Sequence, residues 1–85
     1  MSEKIKQIIV RYMDIEVDDY SENDDCILIL SSGEKKHEGD LLEETIDTMR
    51  NLINTSIELR EFDETKRIMK DLEPVLDYYY TNWCA

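Results

Sequence analysis

The chain has 85 residues and a net charge of −11, from 21 acidic and 10 basic side chains. That length holds one domain, residues 1–85, with a thin core. That charge repels nucleic acid and anionic membranes, so direct binding to either is not expected, and a basic protein surface is the partner it attracts, over ~8 Å at physiological salt.

Ile5, Ile8, Ile9, Tyr12 and Met13 fall at i, i+3, i+4, i+7 and i+8, which predicts a short N-terminal helix. The β-branched run Ile8-Ile9-Val10 supports a competing reading in which residues 8–19 form one strand, giving ββαα. Residues 1–13 carry a net charge of +2. The start, Met1-Ser2-Glu3-Lys4, lacks the apolar run of a signal peptide.

Residues 14–33 carry seven acids and no base. Met13, Ile15 and Val17 alternate with Asp14, Glu16 and Asp18, a period-2 pattern that predicts a half-buried strand. Cys26-Ile27-Leu28-Ile29-Leu30 predicts a second strand, apolar on both faces, and is far too short to span a bilayer. Ser21-Glu22-Asn23-Asp24 is turn-like, so the two strands are expected to pair as an acidic β-hairpin. The run Asp14–Asp25 has acids at several positions of a calcium loop. It has Asp19 where that loop needs Gly, Ser21 where it needs an apolar residue, and Asp25 where it needs Glu. The run is therefore read as a solvated strand face or a binding surface.

Residues 31–40 hold both glycines, Gly33 and Gly39, and read as the main connecting loop. His37, among Lys35, Lys36 and Glu38, reads as an exposed loop histidine without a nucleophile to activate. Cys26, His37 and Cys84 are zinc-ligand types at no characteristic spacing, so neither metal nor cofactor is expected. A Cys26–Cys84 disulfide cannot be argued from spacing, and a cytoplasmic protein with reduced thiols is expected.

Asp40 as cap and Glu43 three positions on predict a helix over 41–60. Its apolar face is Leu42, Ile46, Met49, Ile53 and Ile57, widened by Leu41, Leu52 and Leu59. A second helix is expected from Asp63, with Ile68, Met69, Leu72, Leu76, Tyr79, Tyr80 and Trp83 on one side, and Pro74 kinking or restarting it. The short join predicts an antiparallel hairpin. The whole reads as α+β: short N-terminal helix, acidic β-hairpin, two-helix hairpin.

Tyr78, Tyr79 and Tyr80 spread over about 300° of a helix, so at least one should be exposed. Tyr79, Tyr80 and Trp83 are expected to cap the core, with Tyr78 flat on the surface. Tyr and Trp are also the favoured anchors of interfaces. The chain has no Gly-rich phosphate loop and no GxSxG, and its carboxylate pairs are no more than its acidity supplies, so no enzyme is expected.

The residues best placed to meet a partner are Asp14, Glu16, Asp18, Asp19, Glu22, Asp24 and Asp25, with Tyr78, Tyr79 and Trp83. The function expected is a protein-binding inhibitor that occupies a basic groove, in the extreme case by imitating nucleic acid. Small acidic phage proteins that disable host nucleases, anti-CRISPR proteins among them, resemble it in size, charge and α+β character. One alternative is an adaptor, homodimer or helix-partner complex, formed through the helical hairpin and C-terminal aromatics. Another is an immunity or antitoxin protein. Ile, Asn, Lys, Tyr, Met and Phe total 30 against 8 for Gly, Ala, Arg and Pro, a bias typical of an AT-rich genome such as that of a low-GC bacterium or its phage.

Overall fold

Ser2 opens the first helix, α1 (Glu3–Met13), by accepting the Ile5 N–H on its hydroxyl. Ile5, Ile8 and Ile9 are its buried face, as the helical spacing predicts, and the alternative of residues 8–19 as one strand does not hold. Asp14 ends α1 in the left-handed region at φ 52°. The coordinates are a computed structural model describing residues 1–21 and 24–83, and the side chains of Asp19, Ser21, Asp24 and Asp25 lie outside the description.

Three strands follow, β1 (Val17–Ser21), β2 (Asp24–Leu30) and β3 (Lys35–His37), in an antiparallel sheet of order β1-β2-β3. The first strand starts later than the alternation suggests. Met13 belongs to α1, and the period-2 pattern from Met13 to Val17 is a coincidence of a helix end and a connection. The apolar β2 is central, hydrogen-bonded on both edges, with Leu28 and Leu30 buried and Ile27 and Ile29 half-buried. The third strand lies inside the stretch read as loop. Its three residues carry no alternation of their own and become strand by pairing with Ile27, Leu28 and Ile29. Gly33, at φ 88°, turns the chain between β2 and β3, where a side chain would be strained.

The second helix, α2 (Glu38–Glu58), begins three residues before the expected start. Its cap is His37, whose Nδ1 accepts the Gly39 N–H at 3.1 Å, and Asp40 instead lies in the first turn. The third, α3 (Phe62–Asn82), follows Glu61, so Asp63 is in its first turn and is not its cap. Pro74 neither ends nor restarts α3. It removes one backbone donor, but Leu72 and Val75 beside it are buried, and that packing holds the helix together across the gap.

The hairpin of α2 and α3 is the expected one. Between them Ser56 and Thr65, both buried, place their hydroxyls 2.5 Å apart; one donates to the other, and the accepting hydroxyl gives its own proton to a carbonyl one turn back, Ile53 for Ser56 or Glu61 for Thr65. The core is built from Ile5, Ile8 and Ile9 of α1, Leu28 and Leu30 of β2, Leu41, Leu42, Ile46 and Met49 of α2, and Ile68, Leu72 and Val75 of α3. It stops short of the hairpin's closed end. Leu52, Ile57 and Leu59 are therefore exposed, not buried as the apolar stripe of α2 predicts. A 21-residue helix is about 31 Å long, longer than the sheet and α1 can cover.

Candidate functional site

Two groups of side chains stand out, one acidic and exposed, one aromatic around a buried carboxylate. The acidic group lies where α1 hands over to β1. Asp14, Glu16 and Asp18 are all exposed. The register slips between Val17 and Asp19, and near this irregularity two carboxylates share one hydroxyl: Ser31 Oγ is 3.1 Å from Asp18 Oδ1 and 3.4 Å from Glu16 Oε2. The Ser31 N–H also donates to the Glu16 carbonyl, which locks this margin to the end of β2. A concavity of about 290 Å³ beside it is lined by Asp14, Glu16, Ser31 and Glu34 among others. Among the described residues the ion pairs are Arg11–Asp71, Lys36–Glu44 and Arg67–Glu64; Asp14, Glu16 and Asp18 are in none of them, and Lys6 lines a neighbouring concavity with Glu16 and Asp18. The expected contacts Asp19, Asp24 and Asp25 lie in β1 and β2 with side chains outside the described residues, and Glu22 lies outside them altogether.

The aromatic group converges on Glu38, the first residue of α2, which is only 3% exposed. Tyr20 Oη donates to its Oε2 at 2.7 Å. Tyr78 Oη donates to its Oε1 at 2.6 Å, and the Trp83 indole N–H to the same oxygen at 3.2 Å. The helix N-terminus adds partial positive charge, so a carboxylate can be buried here without a lysine or arginine. Burial, then the hydrogen bond to Glu38, pushes the Tyr78 phenol from 10.0 up to about 12. The same causes push the Tyr20 phenol up. A cavity of about 560 Å³ opens beside this cluster, lined by Met1, Tyr20, Cys26, Glu38, Tyr78, Asn82 and Trp83.

Tyr78 is thus half-buried and tied to Glu38, not flat on the surface, while Tyr80 is the exposed member of the run. The reason is Glu38: the Tyr78 hydroxyl has a buried acceptor to reach. Tyr79 is half-buried, its ring edge-on to Tyr80 at 5.6 Å. His37 is not an exposed loop residue. It is half-buried, caps α2, and stacks edge-on against Trp83 at 4.7 Å. A Cβ on Gly39 would come within 3.2 Å of both rings, so this glycine lets them close over the start of α2.

The structure brings Asp14, Glu16 and Asp18 together, and separately Tyr78 and Trp83. Sequence reasoning missed Glu38, Tyr20 and Glu34. It also missed four acids on the first half of α2, Asp40, Glu43, Glu44 and Asp47, which with Lys36 line a concavity of about 300 Å³. Their spacing along one helix was the available signal; nothing in the sequence marks Glu38 as buried. Among the described residues no three His, Cys, Asp or Glu side chains converge closely enough to hold a metal ion, and Cys84 lies outside them. No described helix is long and apolar enough to cross a membrane. No protein-family model, curated protein or solved structure matches the chain.

Proposed function

We propose that this chain is a non-enzymatic binding protein that lays acidic surface into a basic, nucleic-acid-binding groove of a partner protein and blocks it. The observation that carries this reading is the margin of Asp14, Glu16 and Asp18: exposed carboxylates, two of them sharing a neutral hydroxyl, in none of the ion pairs among the described residues. Carboxylates exposed on this margin are open to a partner's lysines and arginines. Duplex DNA offers one charge per ~1.7 Å of axis, and clustered carboxylates on a strand margin and a helix compete for the same cations. A phage-type inhibitor of a host nuclease, of the anti-CRISPR kind, fits this physics. An immunity protein against a basic toxin enzyme uses it equally.

The test begins with proteins from a low-GC bacterial host retained on the immobilised chain at low salt. The nucleic-acid binding of the retained protein is then titrated with the wild-type chain and with Asp14→Asn/Glu16→Gln/Asp18→Asn. The reading expects the wild type to displace nucleic acid and the triple variant to need at least about tenfold more protein. Retention that survives high salt unchanged, or a retained protein without affinity for nucleic acid, sinks it.

A further inference from the structure

Phe62, Met69 and Leu76 recur on α3 every seven residues, and Tyr80 follows one turn later. Leu76 is half-buried, while Phe62, Met69 and Tyr80 are 55%, 56% and 54% exposed. Met69 and Leu76 each stand two residues before Asp71 and Tyr78. Those are the side chains through which α3 reaches Tyr12 of α1 and the buried Glu38. Two residues are about 200° around a helix, so Met69 is turned away from α1, while Leu76 flanks the core and packs against it.

Beside the stripe run four exposed charges in an unusual order: Lys66, Lys70, Glu73, Asp77. Lys66–Lys70 and Glu73–Asp77 are like-charge pairs at i, i+4, which weaken a helix standing alone. None of the four is in an ion pair among the described residues. The order is self-complementary: reversed end to end, it sets lysines against acids.

We propose that α3 is a dimerisation helix, pairing antiparallel with α3 of a second copy along the Phe62–Met69–Leu76 stripe. With the two-fold axis beside residue 72, Met69 meets the second copy's Leu76, Lys70 meets its Glu73, and Lys66 meets its Asp77. The exposed apolar side chains of Phe62, Met69 and Tyr80 border the charge row, and a two-fold contact closes on itself. The whole-chain charge favours the same direction. Residues 50–70, the closed end of the hairpin, carry five bases and four acids, a net of +1, and the rest of the chain carries five bases and seventeen acids, a net of −12. Antiparallel pairing sets each near-neutral end beside the acidic end of the other copy's α3, which carries Asp71, Glu73 and Asp77 and no base. A parallel pair would press the two acidic ends together. The dimer does not depend on the docking role proposed above.

Light scattering on the full chain tests this. The expected mass is twice the 10.1 kDa of one chain. Met69→Glu should give the single-chain mass. Lys66→Glu/Lys70→Glu should weaken dimerisation at least about tenfold, and adding Glu73→Lys/Asp77→Lys to the same chain should restore it, because the reversed charges again match. All five positions are exposed or outside the core, so an unchanged helical circular dichroism spectrum separates lost pairing from lost folding. A wild-type chain that stays at the single-chain mass up to its solubility limit overturns the proposal. So does a dimer indifferent to Lys66→Glu/Lys70→Glu, or a folded fourfold variant that fails to recover.

Discussion

Glu38 shows how one side chain can organise distant parts of a short chain. Its carboxylate gathers Tyr20 from β1, Tyr78 from α3 and Trp83 from the end of α3. Truncation by Glu38→Ala strands three donors at once and should cost about 3 kcal/mol of stability in urea unfolding. A loss below about 1 kcal/mol would mean that water already satisfies those donors. The tyrosines make a separate prediction. Burial and a carboxylate neighbour push Tyr78 and Tyr12 up to about 12, from 10.0 in the open chain. A folded-state pKa above the unfolded one gives stability that is complete below pH 10 and is lost as pH rises toward 12. Unfolding at fixed pH across that window should become easier, and phenolate absorbance should rise on unfolding. A flat profile would contradict the network. None of this was legible beforehand. Glu38 sits in a polar run beside His37 and Gly39, and a carboxylate becomes buried only when remote donors arrive.

Among the elements, legibility followed how much of each element's stability is local. The apolar spacings of α1, α2 and α3 are written in the chain, and those helices form where expected to within a few residues. The third strand was not legible because Lys35-Lys36-His37 has no pattern without β2 beside it. Of the two expectations for Pro74, the restart does not occur, because Leu72 and Val75 pack in the core on either side of it. The reversal between α2 and α3 carries a testable strain. Arg60 sits at φ 58°, the left-handed conformation that usually falls to glycine after a helix. Arg60→Gly should raise stability by about 0.5–1 kcal/mol, the steric relief partly offset by the greater freedom of glycine when unfolded. A drop in the urea midpoint would instead assign the arginine a stabilising contact.

For the molecule as a whole, exposed acids gather in two places. Asp14, Glu16 and Asp18 border the sheet and four acids lie on the first half of α2, while Phe62, Met69 and Tyr80 are the exposed apolar residues of α3. The net charge was legible in composition, but which carboxylates stay unpaired was not, because that depends on where ten bases fall in space. Three ion pairs among the described residues involve Asp71, Glu44 and Glu64, and none involves the β1 margin. The most direct test of the docking role is the salt dependence of partner binding by the wild-type chain and by Asp14→Asn/Glu16→Gln/Asp18→Asn. The wild type should lose affinity steeply as salt rises and the triple variant should be weaker with a shallower slope; equal affinities and equal slopes would show that these carboxylates face water and nothing else.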